Sequence, residues 1–205
     1  MFLLIGGLDT PGEGAKAMYP AFDSVEHAYA KALDGVTTAQ ARIHPGGDPH
    51  QWCAQELIEH LILSYRSTAG VLEERLQKGR PTQAPRLPEQ ELRWRKTIMA
   101  GHFPEGGKAP ERVRPGQLPL GELCGAELAQ RFRGELEKVD GLLCECAEKF
   151  GSQPMASHFA FGPLTADQWR EFHTVHARHH LAQLNRILSS IHTHTAVSGK
   201  TASTT

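Results

Sequence analysis

The 205-residue chain has no apolar run approaching the roughly 20 residues a membrane helix needs, so no membrane partner is expected. Charge of one sign is also lacking. Twenty-two Lys+Arg stand against 23 Asp+Glu, a net charge of −1. That balance offers no global positive field for a phosphate backbone, and nucleic acid is not an expected partner. Cysteines are few: Cys53, Cys124, Cys144 and Cys146, with no C-x-x-C pair. In a helix Cys144 and Cys146 would point about 200° apart and could not chelate together. Reduced thiols in a cytoplasm are the plain expectation. The start, Met1 to Gly7, has neither a basic n-region nor a cleavage-site pattern and does not read as a signal peptide. P-loop, G-x-G-x-x-G, H-E-x-x-H and G-x-S-x-G patterns are all missing, which excludes the usual nucleotide cradles, zincins and nucleophile elbows. A ferritin-like di-iron site needs Glu-x-x-His on two helices; here Glu171–His173 are spaced two and Glu56–His60 four.

Apolar residues make up 40% of the chain and charged residues 22%, a composition and length suited to one domain with a real core. Four stripes at spacings of three and four predict four long helices. The first begins near Pro20 and carries Phe22, Val25, Tyr29, Leu33 and Val36 on one face. The second is expected to start at an Asp48 cap, with Pro49 first and Gln51 at the capping-box position. Its stripe is Leu57, Leu61, Tyr65, Thr68, Leu72 and Leu76. The third runs from about Leu120 to Phe150 and carries Gly125, Gly134 and Gly141, each costing about 1 kcal/mol against Ala. The fourth has Thr165 as cap, Gln168 as capping-box partner and a Leu164–Trp169 staple. Its stripe runs through Phe172, His176, His180, Leu184, Ile187 and Ile191. Between the second and third helices, residues 79–119 hold seven of the 13 prolines. A connection that long, with one short helix over Glu89–Met99, can carry the chain the length of a bundle. The expected organisation is an N-terminal extension over 1–18, an all-α four-helix bundle over 19–192 and a disordered tail over 193–205.

Twelve histidines are the unusual count. His176 and His180 are one turn apart, about 40° around the axis, so both rings can reach one ion. They lie within the apolar stripe, where a neutral imidazole costs free energy unless partnered. His60, between Leu57 and Leu61, is the best candidate for a third ligand; the alternative is a half-buried ring bonded to a backbone carbonyl or to Glu56. Three imidazoles with open positions describe a catalytic site, and such donors suit Zn, Ni, Fe or Cu equally. His173 lies one turn before His176 and is a candidate acid/base or supporting group. His158 is a candidate at the pocket mouth, or else braces its loop. Gln183 is placed to hydrogen-bond an imidazole or a substrate. Tyr65 is a core residue by default, with a hydroxyl that can point into a central cavity. His179 reads as a surface residue beside Arg178. The crossover carries eight basic residues against four glutamates. It reads as a solvated loop, or as a cover that attracts an acidic substrate such as a carboxylate-bearing thiol.

Two segments resemble a known family. Trp52-Cys-Ala-Gln-Glu-Leu-Ile-Glu-His60-Leu is similar to the W-s-x-x-E-x-x-x-H-L segment of the DinB/YfiT-like metalloproteins. His176-Ala-Arg-His-His180-Leu-Ala-Gln183 resembles their H-x-x-x-H-x-x-Q segment. The stretch from His158 to Trp169 looks like one bacterial branch of that superfamily, known only as a domain of unknown function. The resemblance covers most of residues 20–192. It implies a four-helix bundle of up-down-down-up type, often a homodimer, and a divalent metal, commonly nickel or zinc, on His60, His176 and His180. It also implies thiol-dependent transfer with a low-molecular-weight thiol, or metal-dependent hydrolysis. Leu181 and Ala182 depart from the Arg-Gly that many relatives carry there.

The functional expectation is a cytoplasmic metalloenzyme acting on a small-molecule substrate by thiol transfer or hydrolysis. The rival expectation is a non-enzymatic bundle that binds a metal or small ligand as sensor, carrier or scaffold.

Overall fold

Pro20 opens the first helix because its missing N–H is one of those no helix can pair. The computed structural model describes residues 17–104 and 106–198, and of the last seven the backbone alone. The rest of the expected N-terminal extension and the end of the expected tail, 199–205, lie outside the described residues.

The chain is mostly helical: α1 (Pro20–Leu33), α2 (Thr38–Ala41), α3 (Ala54–Lys78), α4 (Pro88–Trp94), α5 (Gly125–Phe150) and α6 (Ala166–Ser198). Short 3-10 turns occupy Pro45–Gly47 and Glu111–Val113, and a π-helical turn, Arg95–Met99, extends α4. The predicted stripes are the buried faces. Phe22, Val25, Tyr29 and Leu33 of α1 join Leu57, Leu61, Tyr65 and Leu72 of α3 in one core. Leu128, Phe132, Leu136, Val139 and Leu143 of α5 and Leu184, Ile187 and Ile191 of α6 complete it. Burying a Leu or Phe side chain stabilises by about 1.5–3 kcal/mol.

Specific contacts fix how the long helices lie. Tyr29 stacks on Phe132 at 4.3 Å, and its hydroxyl donates to the Ala177 carbonyl at 2.8 Å. Near the start of α3, Gln55 donates to the Gly121 carbonyl just before α5. Further along, Arg66 pairs with Glu135, and at the helix ends Lys149 donates to the Leu76 carbonyl. At the start of α6, Arg170 bonds Asp140 of α5, which also accepts from the Tyr19 N–H before α1.

Three boundaries differ from expectation. α3 starts at Ala54, not after Asp48: Glu56 reaches back to the Cys53 N–H at 2.9 Å, making Cys53 the cap. Asp48 instead accepts from His50 N–H and the Gln51 amide in a local turn. α5 starts at Gly125, capped at Cys124 by Glu127. Gly125 is no helix defect. Its N–H bonds the Val36 carbonyl at 2.8 Å, and a Cβ there would stand 2.0 Å from the Leu33 carbonyl oxygen. α6 runs on to Ser198, past the expected tail start at Thr193, since neither Pro nor Gly interrupts it before Gly199. Its Thr165–Gln168 capping box forms as expected.

A two-stranded antiparallel hairpin precedes α6: β1 (Ala156–His158) pairs β2 (Gly162–Leu164), Ser157 opposite Pro163. Three-residue strands are too short to show alternation in sequence. Nor is the crossover a loosely solvated loop. Arg86 donates to the Pro163 carbonyl and Gln168, and Arg93 to the Ala160 carbonyl. Trp94, Ile98 and Val113 are buried. Glu59 of α3 accepts three successive backbone N–H groups, from Gly116, Gln117 and Leu118, at 2.8–2.9 Å. These bonds hold the crossover against α3 and the hairpin, with an open cleft of about 1820 Å³ between them and α6.

Candidate metal centre

The one-turn spacing on α6 stacks His176 above His180, and the apolar stripe turns both inward. His60 faces them from α3. All three are buried, 4–8% exposed. The Nε2 atoms of His60 and His176 are 3.3 Å apart, and those of His180 and His176 3.1 Å. Phe172 stacks parallel to the His176 ring at 5.5 Å, Phe103 covers it at 5.2 Å, and Trp52 lies 5.0 Å from His60.

The outer ring nitrogens decide which atoms face one another. His60 Nδ1 donates to the Val113 carbonyl at 2.7 Å, and His180 Nδ1 donates to Gln183 Oε1 at 3.0 Å. Each bond places the proton on Nδ1 and leaves Nε2 a bare lone pair. His176 has one proton when neutral. On Nε2 it can serve one neighbour, and the other lone pair then faces nitrogen with nothing between. On Nδ1, which has no partner, all three lone pairs converge. Adding a proton is opposed. Burial holds the His176 imidazole well below its ordinary pKa, with His180 and His60 adding to the effect. Burial likewise lowers His180 to about 3 and also lowers His60, against the Val113 bond.

A divalent ion removes that conflict. Metal–nitrogen bonds of 2.0–2.1 Å at tetrahedral angles separate two nitrogens by about 3.3 Å, close to the observed 3.1 and 3.3 Å. The three residues form a group able to hold a metal. Their chemistry, neutral imidazoles in a cleft open to solvent, fits a bound transition metal with positions left for exchangeable ligands.

A family model for the DinB superfamily matches residues 21–184, most of the chain. The chain belongs to the DinB superfamily. No curated protein and no solved structure matches it. In this DinB-superfamily chain, the matched span holds every residue of the imidazole cluster and its two outer hydrogen-bond acceptors.

The other expected site residues divide. Gln183 and His158 line the cleft. His158 Nδ1 accepts from the Ala160 N–H at 3.1 Å, which braces the hairpin and puts the ring proton on Nε2. Burial, with Arg112 and Arg93 nearby, lowers its pKa to about 3. His173, a candidate acid/base or supporting group, is a core residue, and Tyr65, core by default, does not line the cleft. His173 is fully buried among Phe22, Tyr65, Trp169 and Phe172 and bonds Thr68 Oγ1 at 3.1 Å. Three residues before His176 is far enough around α6 to turn it from the cleft toward α1. Tyr65 lies against His173 and Phe132, its hydroxyl buried without a partner.

His179, expected at the surface, lines the cleft and lies 5.7 Å from Phe103. Its offset of about 60° from His176 was the available signal. The Val113 carbonyl had none, because any residue type supplies a carbonyl.

A second group, His44, Cys53 and Glu56, also brings metal-ligating atoms together. Its members already serve the α3 cap: Glu56 holds the Cys53 N–H, and His44 Nδ1 donates to the Gln51 carbonyl at 2.7 Å. Burial raises the Cys53 thiol to about 11, away from the thiolate a metal needs.

Proposed function

We propose that the protein is a metal-dependent enzyme whose divalent ion, nickel or zinc, is held by His60, His176 and His180 and activates a thiol or water for thiol transfer or hydrolysis. The observation that carries this reading is the convergence of three Nε2 atoms at a cleft, with two of the rings locked by Val113 and Gln183. Bound there, such an ion supplies a lowered pKa to a water or low-molecular-weight thiol, making a nucleophile at neutral pH.

The chain's own residues do the remaining work. Val113 and Gln183 hold the imidazoles in one tautomer. Phe103 and Phe172 wall His176 off from water. His158 presents a neutral Nε2–H to the cleft, since its depressed pKa keeps the ring uncharged, and we assign it to orient a substrate. His179 is the further imidazole within reach of the cleft. We assign His173 to act through Thr68, which lines the cleft, and Tyr65 to packing against His173.

The bundle reading is of up-down-down-up type. Support comes from α3 meeting α5 start to start and end to end, and from Tyr19 and Tyr29 meeting Asp140 and Phe132 in reverse order along α5. A homodimer and a cytoplasmic location belong to the same reading. They rest on the family resemblance and on four free cysteines. No helix among the described residues is long and apolar enough to cross a membrane.

Elemental analysis of natively purified protein tests the site. About one ion per chain is expected, with His60→Ala and His176→Ala depleted. Equal metal in both variants refutes the trio. Metal bound without turnover on thiol and ester panels would favour the sensor, carrier or scaffold.

A further inference from the structure

The walls of the cleft carry a second pattern besides the imidazoles. Arg93, Lys108, Arg112, Arg114 and Arg186 line it, against one carboxylate among the described residues, Glu56. The chain as a whole has a net charge of −1, so this excess of positive charge is local. Four of the five come from the crossover, Arg93 on its helix α4 and three beyond it, and Arg186 comes from α6.

None of the five forms an ion pair among the described residues, although ion pairs occur elsewhere, as between Arg66 and Glu135 or Arg170 and Asp140. The partners they have are neutral. Arg93 donates to the Ala160 carbonyl, Arg114 to the Ala109 carbonyl, and the Arg112 guanidinium lies over the Phe159 ring at 5.1 Å. All five residues are exposed and keep donors free. Like charges gathered unpaired around a concavity repel one another, and a low-dielectric wall focuses their field on whatever enters. Here that wall is aromatic, with Trp52, Phe103, Phe161 and Phe172 among its residues.

The cations also flank the imidazoles from two sides. Arg186 lies six residues beyond His180 on the same helix, about 9 Å along its axis. Arg112 and Arg114 bracket Val113, whose carbonyl fixes His60.

We propose that the cleft binds a small organic molecule with an apolar body and at least two anionic groups, carboxylate or phosphate. One anchors at Arg186 and another at Arg112 and Arg114, with the reactive part toward His60, His176 and His180. The inference deepens the metal-centre reading and rests on it for the reactive part alone; the basic wall stands without it.

Calorimetric titration of the full chain, as purified with its metal, tests this with three probes: phthalate, the dianion 1,2-phenylene bis(methyl phosphate) and neutral phthalamide. The expected result is that at least one dianion binds about tenfold or more tighter than phthalamide, and less tightly as salt rises. Which dianion wins separates a carboxylate from a phosphate ligand. Arg112→Ala and Arg186→Ala should each weaken that binding about fivefold or more with metal content unchanged. Phthalamide binding equally well, or no dianion binding at low salt, overturns the proposal. So does binding that survives both arginine variants but is lost in His60→Ala, because the anion would then sit on the metal alone. A parent chain free of metal that still binds dianions through the arginines would support this inference and sink the metal reading.

Discussion

Replacing Gln183 with leucine keeps the side chain's apolar stem and deletes the oxygen that accepts from His180 Nδ1 at 3.0 Å. The cost depends on the metal. Without an ion, His180 can shift its proton to Nε2 and donate to His176, 3.1 Å away, so no donor is stranded. With an ion on Nε2 the proton must stay on Nδ1, which would be left unpaired in a ring only 8% exposed. A stranded buried donor costs about 1–3 kcal/mol. That penalty falls on the loaded state alone, so metal affinity should drop by about 5- to 150-fold, a range that overlaps the usual effect of removing such a support. Competition against a chromophoric chelator measures it. Urea unfolding of the metal-free variant should match the parent, and Gln183→Glu, which retains an acceptor, should hold its metal. A leucine variant within twofold of the parent's affinity would refute the assignment of His180 Nε2 as a ligand.

Metal removal and re-addition should shift thermal unfolding. Nickel or zinc at a hundred times its dissociation constant stabilises by about 2.7 kcal/mol, which for a domain of this size is about 5–11 °C in Tm; no shift would contradict a site in the folded state. Acid should destabilise the metal-free protein: His158 and His173 have pKa values lowered to about 3 from the ordinary 6.5. Their unfolded rings take up protons first, so stability is whole above pH 6.5 and is lost as pH falls from 6.5 toward 3. The slope approaches about 1.4 kcal/mol per pH unit for each ring, and urea midpoints at several pH values read it, a flat profile counting against burial of both. Gly125→Ala should destabilise by about 1–3 kcal/mol, since its Cβ would meet the Leu33 carbonyl at 2.0 Å. Gly134→Ala, which meets nothing, should stabilise by up to about 1 kcal/mol; calorimetry that ranks the two alike would refute the close approach.

Much of the fold and of the site is legible in the sequence. Residues such as Leu57, Phe132 and Ile187 declared their burial through helical spacing, and the His176–His180 pair declared a shared direction. The Thr165–Gln168 cap was legible because both partners sit within one turn. What failed to show was whatever depends on backbone atoms or on distant chain. Cys53 rather than Asp48 caps α3, with Glu56 reaching back to its N–H, because the chain runs extended there, which a residue pattern does not encode. The hairpin is held by hydrogen bonds from Arg86 and Arg93, some 70 residues upstream. His173 and His179 were exchanged in role because a helix face is broad, and only the neighbours decide which edge of it meets solvent.

The Val113 carbonyl gives the crossover a meaning that its proline content conceals. A chimaera that replaced residues 79–119 with a tight helical connector would keep both histidine-bearing helices. It would delete the acceptor 53 positions downstream that pins the His60 ring. Such a graft would inherit all three imidazoles and lose the orientation of one of them. Chain length here is therefore a constraint on how the imidazole cluster is oriented.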